Sequence, residues 1–160
     1  MLNQIKGLHH VTSLASGAQS NNEFFTRTLG LRRVKKTVNF DAPDVYHLYY
    51  GDEQGTPGTV MTYFPFPNAA RGRHGTGEVG TTAFSVPAGA LDEWQTRLGD
   101  LGVEGMERGT RFGENVLAFR GPDGDEFALV ETADDPRAPW TGNGIDEDLE
   151  IRGFHSASMR

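Results

Sequence analysis

Leu8-His9-His10-Val11-Thr12-Ser13-Leu14 is the stretch whose reading decides the fold. It is short and ends at Ser16-Gly17. A helical pattern follows at once, so it reads as an opening strand. The same opening recurs near the end of the chain. Ile5-Lys-Gly-Leu-His9-His-Val-Thr12 matches Ile151-Arg-Gly-Phe-His155-Ser-Ala-Ser158 at an offset of 146, with isoleucine, glycine and histidine identical. Such self-similarity marks a chain built from repeated units.

Working outward, residues 19–28 read as a helix with Phe24 and Phe25 on its buried side, closed near Gly30. Strands are expected at 33–40, 46–50 and 59–64, separated by Pro43 and the turn Gly55-Thr-Pro-Gly58. The order then repeats. A strand at 81–86 leads to a helix at 90–101, where Leu91, Trp94, Leu98 and Leu101 keep helical spacing. Gly102 closes it, and strands are expected at 103–107, 116–120 and 126–131, with Pro122-Asp-Gly124 turning into the last. The fold class implied is α+β, in two βαβββ modules at residues 5–66 and 79–133. Residues 67–78 form a Gly/Arg-rich connection and 134–150 a Pro/Asp/Gly-rich linker. Residues 151–160 read as the first strand of a truncated third module, with no partner in its own module.

The chain has 160 residues, 36% of them hydrophobic, and 21 glycines, which favours short strands and tight turns. A net charge of -7 disfavours phosphate backbones, so no nucleic-acid partner is expected. The cluster Arg71-Gly-Arg73-His74 reads as a solvated loop. With no cysteine, thiolate metal sites and cysteine nucleophiles are excluded, and a reducing cytoplasm is the expected setting. No stretch reads as a signal peptide or a membrane span.

The candidate chemistry lies in His9-His10. Neighbouring strand residues point to opposite faces, so only one of the two is expected to face a given cavity. In Tyr46-His-Leu-Tyr-Tyr50, alternation sets His47 and Tyr49 on one face, where they suit an aromatic substrate by stacking and proton transfer. Glu126 is expected to share a face with Ala128 and Glu131 to point away, both as solvated or turn-supporting acids. His74 reads as solvated. Gly72-Arg-His-Gly75-Thr-Gly77 lacks the lysine of a phosphate-cradling loop, and no Gly-x-Ser-x-Gly elbow is present.

The segments Leu8-His-His-Val-Thr12, Val34-Lys-Lys-Thr-Val38, Tyr46-His-Leu-Tyr49, Gly55-Thr-Pro-Gly-Thr59, Gly109-Thr-Arg-Phe-Gly113 and Arg152-Gly-Phe-His155 resemble the hydroquinone-type ring-cleaving dioxygenases of the vicinal oxygen chelate (glyoxalase/bleomycin resistance/dioxygenase) superfamily. The resemblance implies mixed curved sheets forming a cup with flanking helices. It implies four modules in a longer chain, of which this sequence holds the N-terminal half. It also implies a non-haem Fe(II), with Mn(II) as the alternative, held by two histidines and a glutamate. His10 matches the first ligand, and the remaining ligands lie outside this chain. His9 and Thr12 match residues lining the site, His9 standing behind the ligand. The implied substrates are O₂ and a small aromatic diol, a hydroquinone or catechol. The implied partner is the C-terminal half or a homodimer mate. His155 aligns with His9, and Ser156 stands at the position of His10. The second-module position matching His10 falls near Ala83. Thr62 and Ala128 occupy the positions of the last-strand carboxylate, and neither can ligate as one. Two other readings stay open: a metal-free small-molecule binding or resistance protein of the same fold, and a glyoxalase-like isomerase whose site is shared across a dimer.

Overall fold

The computed structural model describes residues 4–160. Two mixed sheets are built in the same order of elements. In the first, β1 (His10–Ala15) is followed by helix α1 (Ala18–Glu23) and then by β2 (Arg32–Val38), β3 (Tyr46–Gly51) and β4 (Val60–Pro65). In the second, β5 (Val79–Pro87) is followed by α2 (Leu91–Asp100) and then by β6 (Glu107–Arg111), β7 (Glu114–Arg120) and β8 (Glu126–Thr132). Strand order is β1-β4-β3-β2 in sheet one. In sheet two it is β6-β7-β8-β5, extended by β9 (Gly153–Met159) beyond β5. The first and last strands of each unit run parallel, β1 with β4 and β5 with β8, and the helix supplies the crossover that this requires.

α1 passes directly into a π-helical segment, Phe24–Thr28. The segment buries Phe24 and Phe25, whose rings meet edge to face with centroids 5.1 Å apart. Gly30 and Gly102 follow the two helices at φ +73, the left-handed turn that favours glycine. Gly30 is also closely packed. A Cβ there would collide with the Ile145 side chain.

Alternation decides what is buried. Val11, Leu48, Tyr50, Met61 and Tyr63 from sheet one meet Phe84, Leu117, Phe119, Phe127 and Leu129 from sheet two in one core with Phe25, Leu91, Trp94 and Leu98 from the helices. Each sheet thus spends one face on the shared core and leaves the other open.

Two expectations differ from the structure. The strand placed at 103–107 lies instead at Glu107–Arg111, pairing with β7 around a tight turn at Phe112-Gly113. Gly105, at φ +68, breaks the preceding segment, and all five β6 residues are exposed, so no buried alternation marked the strand. The terminal strand, β9, pairs antiparallel with β5 of the second unit. Segment 134–150 is packed rather than loose. Ile145 and Leu149 enter the core, and Asn143 Nδ2 donates to the carbonyls of Gly30 and Leu31 at 3.1 and 2.9 Å. Trp94 Nε1 donates to the Leu149 carbonyl at 2.7 Å.

Candidate functional site

The open face of sheet one gathers the polar residues singled out above. The register pairs His10 with Val60, Thr12 with Thr62, and Tyr49 with Thr62. Side chains alternate along each strand, so His10 and Thr12 on β1, Thr62 and Phe64 on β4, and His47 and Tyr49 on β3 share this face. Lys35 and Thr37 join them from β2, opposite Tyr49 and His47.

His9 and His10 are brought together. Their Nδ1 atoms lie 3.0 Å apart and their rings meet edge to face, with centroids 5.2 Å apart. Strand alternation alone would part the two; the contact instead sets His9 behind His10. The pleat begins at His10, and Gly7 at φ +136 lets His9 approach outside the strand alternation. One Nδ1 must donate and the other accept. If His10 donates, its Nε2 is left with a free lone pair, the form in which imidazole ligates a metal. Both rings are exposed in this chain.

Thr12 and Thr62 are joined through their hydroxyls at 2.8 Å, Thr62 buried and Thr12 at the surface. His47 and Tyr49 form a second pair, Tyr49 Oη lying 2.8 Å from His47 Nδ1. The His47 ring lies on Phe64, with centroids 3.9 Å apart. Its Nε2 is buried without a hydrogen-bond partner among the described residues. Burial lowers the His47 pKa, and the charges of Lys35 and His10 lower it further. Burial raises that of Tyr49. The pair therefore stands as neutral imidazole and intact phenol at neutral pH.

Sequence reasoning missed Phe64 and Lys35 as neighbours of this face and gave Thr62 no role beyond a missing carboxylate. Only the register between β3, β4 and β2 places them there. Register also refines one equivalence. Matching Thr62 to Ala128 matches Val60 to Glu126, whose partner on β5 is Thr81. Thr81, not Ala83, is therefore the counterpart of His10, and Ala83 that of Thr12.

The remaining histidines and acids lie elsewhere. His74 pairs with Glu78 at 2.9 Å near the surface. His155 lies on the open face of sheet two. Glu126 shares that face and is held by Arg160 at 2.7 Å. Glu131 points away and accepts the backbone N–H of Leu91 at 3.2 Å, capping α2. Among the described residues no three His, Cys, Asp or Glu converge as a metal cluster. His10 fits one position of a metal site and does not complete one. No helix is long and apolar enough to cross a membrane.

The sequence profile of the Glyoxalase/Bleomycin resistance protein/Dioxygenase superfamily matches residues 7–144. A Bacillus subtilis protein carrying the name ring-cleaving dioxygenase MhqE is 45% identical over 149 residues, covering 93% of this chain and 49% of that protein. The chlorohydroquinone/hydroquinone 1,2-dioxygenase of Sphingobium indicum is 39% identical over 157 residues, covering 96% of this chain and 49% of its own length. A Bacillus subtilis crystal structure described as a dioxygenase superposes with a TM-score of 0.91 at 41% identity, covering 96% of this chain and 49% of that one. The chain spans about half the length of the curated relatives it matches.

Proposed function

The chain belongs to the Glyoxalase/Bleomycin resistance protein/Dioxygenase superfamily, and from that premise we propose that it is the N-terminal half of an Fe(II)-dependent dioxygenase that opens the ring of a hydroquinone or catechol with O₂. The observation that carries this reading is the His9–His10 contact on the open face of sheet one, in a chain whose relatives are named ring-cleaving and hydroquinone dioxygenases. In this reading His10 is a metal ligand through Nε2. The other two donors come from the part of the relatives' length that this chain does not cover, or from a second copy of the chain. Completion of the site from that side also encloses the exposed His10 ring.

Bound Fe(II) supplies open positions at which a diol oxygen and O₂ meet. The chain's own residues do the rest. His9 fixes the tautomer and direction of His10 by accepting its Nδ1–H. Thr12, held by Thr62, offers a hydroxyl beside the ligand. His47 and Tyr49 form a wall against which an aromatic ring stacks. The cysteine-free composition suits a reducing cytoplasm, where Fe(II) persists.

The test is oxygen uptake by the product of the complete reading frame, loaded with Fe(II) without air and offered a panel of hydroquinones and catechols. Uptake matched by loss of the diol, and abolished by His10→Ala, is the expected result. No uptake with any diol overturns the reading. One observation favours a metal-free binding protein of the same fold: the last-strand positions hold Thr62 and Ala128 rather than carboxylates. That alternative gains if the loaded protein holds no iron yet still binds diols.

A further inference from the structure

The open face of sheet two encloses a cavity of about 280 Å³ that the dioxygenase reading does not use. Its floor is Ala83 and Ala128, paired across β5 and β8, with Val130 and Val116 beside them. These four form an apolar cluster separate from the main core. The counterparts of the two alanines in sheet one are Thr12 and Thr62, whose hydroxyls close on each other at 2.8 Å. Replacing that pair by two methyl groups removes both polar atoms and opens a hollow.

A polar bridge spans the hollow. His155 on β9 and Glu114 on β7 have β5 and β8 between them, a separation of about 14 Å on a flat sheet. Yet His155 Nε2 lies 3.1 Å from Glu114 Oε2. Two side chains of this length meet across such a span where the sheet curls. With Nε2–H given to Glu114, His155 Nδ1 accepts the Ser156 hydroxyl at 3.1 Å.

The mouth is formed by the β6–β7 turn. Phe112 is 92% exposed, at φ +53, the one non-glycine residue with positive φ among those described. A bulky side chain in that backbone region is strained, and such strain gathers at ligand sites. Arg111, next to it, makes no ion pair among the described residues, and its guanidinium lies 5.4 Å from the Phe112 ring.

We propose that this second cup is a binding site for a one-ring aromatic molecule bearing an acidic oxygen, a carboxylate or phenolate. The ring lies on the Ala83–Ala128 floor against the paired side chains of Val116 and Val130. The oxygen meets Arg111 at the mouth, on the side away from the Glu114 carboxylate that the bridge histidine already holds. Phe112 stacks on the ring from outside. A small apolar floor with a few convergent polar groups is the usual build of a small-molecule site. Binding here needs neither a metal nor His10, so it stands or falls apart from the proposed dioxygenase activity.

The experiment is methyl NMR on this chain, labelled in alanine, valine and threonine and titrated with 4-hydroxybenzoate. Saturable shifts of the Ala83, Ala128, Val116 and Val130 methyls, with a dissociation constant of about 1 mM or tighter, are expected. Ala128→Leu, which fills the hollow, and Arg111→Ala, a surface change that leaves the fold intact, should each weaken binding by roughly tenfold, about 1.4 kcal/mol. Cyclohexanecarboxylate, which cannot stack, should bind more weakly than the aromatic acid. The proposal is overturned by an absence of saturable shifts at these methyls, by shifts centred on Thr12 and Thr62 instead, or by unchanged affinity in Arg111→Ala.

Discussion

Tyr63 and Asp125 meet across the two sheets, with the phenolic Oη 3.2 Å from Oδ2. Ser13 donates to the other carboxylate oxygen at 2.8 Å. A residue at the entrance of β8 therefore takes both its side-chain partners from β1 and β4. Asp123, one turn earlier, accepts the backbone N–H of Ser16 at 3.0 Å. These bonds help to fix sheet two against the strand that carries His10, so the site on one sheet depends on a loop of the other.

Removing the carboxylate should cost more than removing the phenol. Asp125→Ala leaves two part-buried donors without an acceptor, with an expected loss of about 1–3 kcal/mol. Tyr63→Phe deletes one bond with little change of shape, with an expected loss of about 1 kcal/mol. Urea denaturation of the two variants and of the double variant checks this. Strict additivity of the two losses would show that the pair is not coupled.

His9 acts on a metal only through His10. His9→Ala should leave the first ligand in place but without a fixed tautomer, weakening Fe(II) binding by about 10–100-fold. Competition against a chelator, using the complete iron-loaded protein, measures this. His9→Asn, which can still accept at short range, should recover part of the loss. Unchanged iron affinity in His9→Ala would remove His9 from the site.

The His47 ring should keep its neutral form to a lower pH than a free histidine. Burial is the main cause, followed by the charges of Lys35 and His10. Lys35→Ala should therefore move its titration upward, toward the usual value, and Tyr49→Phe should change the Nδ1 environment without restoring full exposure. A ring-proton NMR titration follows both. The sign for stability is that of a depressed histidine. Support from this group is complete above the ordinary value of 6.5 and declines as the pH falls below it.

What could be read from the sequence, and what could not, follows from the range of each interaction. The two βαβββ orders were legible because Gly30 and Gly102 close helices of matching spacing, and because Leu91, Trp94 and Leu98 keep one buried stripe. The pairing of His47 with Tyr49 was legible for the same local reason, since residues two apart on a strand share a face. The His9–His10 contact was not, because strand alternation was applied one residue beyond the strand. β6 was misplaced because none of its residues is buried, so no alternation marked it, and because its turn sets Phe112 as well as Gly113 at positive φ. The pairings of Thr12 with Thr62, Ser13 with Asp125 and His155 with Glu114 join residues far apart in the chain. They depend on registers and on sheet curvature that no local pattern encodes.

Glu150 offers the sharpest pH test. It is 3% exposed, next to the core residues Leu149 and Ile151, and one of its carboxylate oxygens has no hydrogen-bond partner among the described residues. Burial raises its pKa from 4.5 to about 7; Arg152 pulls it down and Glu147 pushes it up. Because the folded value is raised, the folded chain holds the proton more tightly than the unfolded chain. Stability is then full below about 4.5 and falls as the pH climbs through the window up to about 7. Above that window the folded state carries a buried, poorly partnered charge. Glu150→Gln keeps the shape and removes the charge. It should flatten the stability profile between those limits and raise stability at pH 8 by an amount on the order of 2 kcal/mol. Denaturation of both proteins across that range checks it. Parallel profiles for the two would mean that the Glu150 carboxylate reaches solvent in the folded chain.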